Sequence, residues 1–216
     1  MTVTTTGLQT AFAALKRDLM APEGPRISTM RNYRFALLPY PPEHEFEVRR
    51  QVAALNSDLR RAGWEVLDVS MQRLFLQRIR SRLGTAAIES LVSSEKRLAS
   101  KDPLRPLARL QGPLTHLLEG PDGLAGDIIA AIETFVESHP DRTATTLVWI
   151  SRLGALYPFV RTSSLLKHLD GRTRQLPVVL LYPGRQTGMT ALSFMDELEP
   201  DRDYRPRIYS AWSENP

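Results

Sequence analysis

Leu176-Pro177-Val178-Val179-Leu180-Leu181-Tyr182 is an unbroken apolar run, and it decides the fold class of this chain. A strand with one wet face alternates apolar and polar residues. A strand covered on both faces is apolar throughout and belongs to a parallel sheet between two layers of helices. Residues 145–150 repeat the pattern and residues 207–211 repeat it more weakly, with helices predicted over 164–169 and 189–198. Upstream, the short apolar run 34–38 is closed by Pro39, Pro41 and Pro42, and Phe46, Val48, Val52, Leu55 and Leu59 then recur with helical period as far as Gly63. Residues 64–69 make a second strand, with Ser70 as the cap of the next helix, so a βαβ unit is predicted to open the fold after a short helix over 10–20. Glu43, Glu45 and Glu47 suit the positive end of the βαβ helix, and Arg60 and Arg61 its negative end.

Residues 70–138 read as almost wholly helical, divided by Pro103, Pro106, Pro113 and Pro121, with Asp122 capping the last helix. That is several helices more than an ordinary crossover needs, so residues 70–140 are expected to form a mainly helical insertion in a single domain spanning 1–216. The predicted architecture is a three-layer α/β/α fold around a mainly parallel sheet of about five strands.

Composition removes several function classes. The chain of 216 residues has no cysteine, which excludes a disulfide framework, a thiol nucleophile and a cysteine-bound metal. His44, His116, His139 and His168 lie far apart and none has a histidine at i+4, so no metal site is expected. No charged segment leads into an apolar one at the start of the chain. The apolar runs fall well below the roughly 18 residues that span a bilayer, which predicts a cytoplasmic protein. The net charge of +4 and pI near 9.6 favour an anionic partner mildly.

Ligands of open α/β sheets bind where strands end at their carboxyl side, so the loops after the predicted strands are the candidate sites. The first is Pro39-Tyr40-Pro41-Pro42-Glu43-His44-Glu45, where the prolines fix an extended turn and Tyr40 can present a hydroxyl. A stiff strand-to-helix corner explains it equally well. The second runs from Ser151 and Arg152 through Gly154-Ala155-Leu156-Tyr157-Pro158-Phe159-Val160-Arg161 into Thr162 and Ser163. It places Arg161 at a helix start, where the macrodipole disfavours a cation unless an anion or carboxylate compensates, and Arg161 is the foremost candidate for binding. A buried arginine–carboxylate pair is the competing explanation.

The third is Tyr182-Pro183-Gly184-Arg185-Gln186-Thr187-Gly188-Met189-Thr190, a strand, a glycine-bearing loop and a predicted helix. It has the setting of a phosphate loop, with Gly184, Arg185 and Gly188 as candidates. The glycine spacing is one residue short of G-x-x-x-x-G-K-[ST], and methionine stands where the lysine belongs. A tight turn needing glycine accounts for it. Arg73, Arg78, Arg80 and Arg82, continued by Lys96, Arg97, Lys101, Arg105 and Arg109, form a basic segment able to meet nucleic-acid phosphates, or simply a solvated face.

Gly154-Ala155-Leu156-Tyr157-Pro158-Phe159-Val160-Arg161, then Leu165, Leu166 and Leu169, then Pro177-Val178-Val179-Leu180-Leu181-Tyr182-Pro183-Gly184 together resemble the BrxB family of bacteriophage exclusion (BREX) systems. The Tyr40 corner fits as well, and the resemblance runs over about residues 34–209. The chain departs from it at Gln186, where the family has tyrosine, and at Asp203-Tyr204-Arg205-Pro206-Arg207, which replaces a double-tyrosine motif.

The resemblance implies a part in BREX, which blocks phage replication while host DNA is marked by methylation. It implies partners among a PglZ-type protein, a methyltransferase and large ATPases, and no enzymatic activity or cofactor. It also suggests a P-loop-NTPase-like sheet without the Walker A motif. The expectation is a non-catalytic assembly component that docks a PglZ-type protein through the carboxyl-edge loops. The alternative is a nucleotide- or nucleic-acid-binding protein with residual NTPase-like chemistry.

Overall fold

The computed structural model describes residues 5–27, 34–102, 105–187, 191–195 and 206–210. Its elements in chain order are α1 (Thr5–Leu19), β1 (Phe35–Tyr40), α2 (Glu45–Arg61), β2 (Glu65–Ser70), α3 (Met71–Ala99), α4 (Arg105–Leu118), α5 (Leu124–Ser138), β3 (Thr146–Ser151), α6 (Thr162–Leu169), β4 (Val178–Thr187), β5 (Ala191–Phe194) and β6 (Arg207–Ile208). The main sheet runs β2-β3-β4-β1-β6 with every pair parallel, and β5 joins it by pairing antiparallel with β4.

The apolar runs are buried on both faces, as their composition requires. All six residues of β1 and of β3 are buried. Phe35, Leu37, Val148, Ile150, Val178, Leu180 and Tyr182 face one core with α3 to α6, while Ala36, Leu38, Tyr40, Leu147, Trp149, Val179 and Leu181 face a second core with α1 and α2. Trp149 is wholly enclosed, and its indole N–H donates to Asn56 Oδ1 of α2 at 2.8 Å, so the polar end of the ring is satisfied in the core.

Helix α1 buries Leu8, Ala11, Phe12, Leu15 and Leu19 at helical spacing, and Lys16 Nζ meets Asp58 Oδ2 of α2 at 2.5 Å. The end of α2 has a Schellman geometry. Gly63 takes φ +83°, its N–H reaches the Arg60 carbonyl, and the Trp64 N–H reaches the Leu59 carbonyl, both at 3.0 Å. Leu59 and Trp64 then share the same core.

The sequence carries no strand order, and the structure supplies it. β1 and β2 are not neighbours, because β4 and β3 lie between them. The polarity of the strands gives the reason. β2 carries Glu65 and an exposed Asp68 and sits at the edge, while the wholly apolar β1 fills an interior position. Pro39 is tolerated in β1 because β6 pairs only Ala36 and Leu37, leaving Pro39 past its end.

Several local expectations change. Phe46 is 73% exposed rather than in the core, since Val48, Leu55 and Leu59 define the buried stripe and Phe46, two residues before Val48, lies on the opposite side of the helix. Ser70 and Asp122 make no side-chain cap. Helix α5 starts from Gly123, where a Cβ would collide with the carbonyl oxygens of Leu118 and Glu119. Pro113 sits inside α4 rather than dividing it. Helix α3 is broken instead at Gly84, with φ +73° and ψ +166°.

Helix α5 and the end of α4 supply the layer over the sheet, through Leu114, Leu118, Leu124, Ile128, Ile129 and Ile132. From Gly84 to the end of α3 no residue is buried. The helix predicted over 189–198 is overturned where it is described, because residues 191–194 form β5, paired with Gly184 to Thr187 in a hairpin. Four residues that pack against one neighbouring strand carry no 3.6-residue pattern to read.

Candidate functional site

The carboxyl ends of β1, β3 and β4 meet at one rim of the sheet. Beyond Tyr40, Pro41 holds φ −59° and ψ 135°, and a single 3-10 turn over Pro42–His44 delivers the chain into α2 at Glu45. The Tyr40 hydroxyl donates to Glu45 Oε2. Burial first, and the Glu45 charge second, push the Tyr40 phenol far above its ordinary value, so it stays a protonated donor. Glu45 in turn faces Arg152, whose Nε lies 3.6 Å from Glu45 Oε1.

Arg152 follows β3 immediately and adopts a left-handed backbone, φ 60° and ψ 35°, from which a 3-10 turn over Leu153–Leu156 begins. That conformation disfavours an L-residue with a Cβ. Next to it, Ser151 Oγ donates to Asp68 Oδ1 at 2.6 Å and ties the ends of β3 and β2 together. Glu45 and Arg152 border a cavity of about 230 Å³ that is also lined by Pro42, Gln72, Gly154, Ala155, Pro183 and Met195. Gly154 fits it closely, since a Cβ there would sit 3.2 Å from Met195 Sδ. At the outer rim, Arg185 Nη2 donates to Glu43 Oε1 at 3.3 Å, and the Arg49 guanidinium lies 5.7 Å over the exposed Phe46 ring.

Of the residues singled out in the sequence, Gly154 lines this cavity, Tyr40 is buried and bound to Glu45 of its lining, and Arg185 lies on the adjoining rim. Tyr157 is half-buried, tilted against Phe194 with centroids 6.3 Å apart, and is followed by Pro158 through a cis peptide bond. Phe159 is buried and stacked on Phe75 at 5.8 Å, where it joins the loop to α3. Arg161 occupies the N-cap position of α6, is exposed, and pairs with no carboxylate among the described residues, so the buried-pair explanation does not hold.

Gly184 belongs to β4. A Cβ there would collide with the Ser193 carbonyl oxygen and approach Tyr182 Cε1 to 2.9 Å, so this glycine permits the hairpin rather than a phosphate loop. Gly188 lies outside the described residues. The basic segment loses a member, because Arg78 is 8% exposed and bound to Asp127 and to the carbonyls of Leu117 and Asp122. Arg73, Arg80, Arg82, Lys96, Arg97, Lys101 and Arg109 are exposed.

The sequence reading passed over Arg152, Glu45 and Gln72 as binding groups. Position alone marks Arg152, as the first residue past the carboxyl end of a buried strand. Glu45 was visible only as a carboxylate suited to a helix start.

Among the described residues no helix is long and apolar enough to cross a membrane. A family model described as BREX protein BrxB matches residues 67–208. Neither the curated proteins nor the solved structures contain a match to this chain. The matched span runs from within β2 to the end of β6 and takes in Arg152, Gly154, the Tyr157-Pro158-Phe159-Val160-Arg161 loop and the β4–β5 hairpin, and on that match, which covers more than half of its length, the chain belongs to the BrxB family.

Proposed function

We propose that this BREX component works by docking rather than by catalysis, and that its partner is a PglZ-type protein of the same system. The observation that carries the reading is the state of the carboxyl rim. Where an open α/β sheet would cradle a phosphate, this chain has a proline-stiffened corner after β1 and a close-packed hairpin after β4. Its cavity of about 230 Å³ is below the roughly 300–1,000 Å³ of small-molecule sites. Two rim carboxylates, Glu43 and Glu45, already face Arg185 and Arg152, which lowers the attraction for a triphosphate.

The interior position of β1, followed at once by a helix, supports a P-loop-NTPase-like frame in which Tyr40-Pro41-Pro42-Glu43-His44-Glu45 stands where the phosphate loop would be. That likeness is an analogy of frame and carries no activity with it. The exposed Phe46 beside the rim suits a protein surface, since an aromatic side chain in water gains most by being covered.

Calorimetry with ATP and GTP tests the catalytic half of the reading. Docking predicts no heat of binding and no turnover, and micromolar nucleotide binding abolished by Arg161→Ala overturns it. A second reading, contact with nucleic acid, is favoured by the exposed Arg73, Arg80 and Arg82 on one helix. It predicts a salt-dependent shift of duplex DNA.

A further inference from the structure

Three cavities are bordered by arginine, and they differ in how the guanidinium is engaged. Beside the end of α1, a cavity of about 530 Å³ has Lys16 on Asp58, Arg17 near Asp18 and Arg26 on Glu23. Between α3 and α5, a cavity of about 580 Å³ has Arg78 fixed by Asp127 and two carbonyls. Arg17, 3.7 Å from Asp18, is also beyond hydrogen-bond length but stands three-quarters in solvent, whereas Arg152 is largely enclosed. Its approach to Glu45, at 3.6 Å, is beyond hydrogen-bond length, and it donates no hydrogen bond among the described residues. A guanidinium with five N–H donors, one-third exposed at the cavity, is thus held in a left-handed backbone that glycine would adopt without strain.

We propose that Arg152 receives a single carboxylate group presented by a partner polypeptide. The inference rests on the docking reading and names what the docked chain offers. Charge selects the ligand. With Glu45 beside it, the site tolerates one added negative charge, held bidentately by the planar fork, and disfavours a phosphate dianion. Shape agrees with charge. The cavity has the size of a side chain rather than a cofactor, Pro42, Pro183 and Met195 give apolar walls for a methylene stem, and the exposed Gln72 amide adds a neutral donor.

The test uses the full chain labelled with 15N and follows the Arg152 Nε–H resonance together with the backbone amides of Gly154 and Ala155, which line the same cavity and report in every variant. The probes are N-acetyl-glutamate amide, its glutamine counterpart, and inorganic phosphate. The expected result is a saturable shift with the glutamate probe at a Kd on the order of millimolar, absent with glutamine, and weakened about tenfold in Arg152→Lys because lysine cannot bind bidentately. Glu45→Gln, which removes the competing carboxylate, is expected to tighten binding several-fold.

Phosphate binding more tightly than the glutamate probe overturns the proposal, as does the absence of any saturable shift, or weaker glutamate binding in a folded Glu45→Gln variant. Because the titration needs no partner, its failure is separate from failure of the docking reading, which capture of BREX proteins from cells decides.

Discussion

Arg78 of α3 directs Nη1 to both carboxylate oxygens of Asp127 on α5, each at 2.9 Å, while its Nε binds the Leu117 carbonyl at 2.7 Å and its Nη2 the Asp122 carbonyl. One nearly buried side chain thereby closes the open end of α4 and joins three helices over the sheet.

Replacing Arg78 leaves Asp127 and two carbonyls without their partner. Arg78→Ala is expected to cost about 3 kcal/mol, the low end for a broken buried pair because Asp127 keeps a third of its side chain in solvent. A lower urea midpoint with an unchanged slope is the signature. If Arg78→Ala leaves stability unchanged and weakens DNA binding instead, the side chain belongs to a basic surface.

Tyr40 and Tyr209 are both held above the ordinary tyrosine value. Burial is the leading cause in each, aided by Glu45 for Tyr40 and, for Tyr209, by a 2.8 Å hydrogen bond to Asp18. A raised folded value means the neutral form is favoured by folding. Their stabilising effect is full below about pH 10, the unfolded value, and falls as pH rises beyond it. Tyrosinate absorbance on alkaline titration should therefore show Tyr40 and Tyr209 among the tyrosines that ionise only when the chain unfolds, and one fewer such tyrosine in Tyr40→Phe. Early ionisation of all six tyrosines would contradict the closed packing of both phenols.

Gly184 tests the hairpin against the loop it superficially resembles. Gly184→Ala places a methyl against the Ser193 carbonyl, so it should open the β4–β5 pairing and raise amide exchange at Ser193 and Met195, whose N–H groups face β4. A phosphate loop would instead lose anion affinity and keep those amides protected.

Phe46 is exposed and contributes little to either core. Phe46→Ala is expected to change stability by less than about 0.5 kcal/mol while lowering capture of the partner. A large loss of stability would place the ring inside the fold.

The sheet was legible because Val148 to Ile150 and Val178 to Tyr182 must be apolar on both sides to lie between helices, and each run is too short for a core helix. Helices α1 and α2 were legible from period and charge. Strand order was not, since the position of β2 at an edge goes with an exposed Asp68 and a half-buried Glu65, a choice made by the whole sheet. The role of Arg78 was hidden for a similar reason. On a helix the same residue serves a solvated face or a buried carboxylate 49 positions away, and local sequence does not distinguish them. At the rim, Tyr40 and Gly154 stood out through their prolines and glycine, whereas Arg152 owes its place to a backbone conformation that no local motif signals.

Docking within BREX is tested most directly by capturing the tagged chain from cells that carry its complete operon and measuring which proteins elute with it. A PglZ-type protein is expected in stoichiometric yield with the unaltered chain, and a several-fold loss with Phe46→Ala or Arg152→Glu, both variants remaining folded. Elution of no other BREX protein, together with nucleotide turnover by the chain alone, would contradict docking.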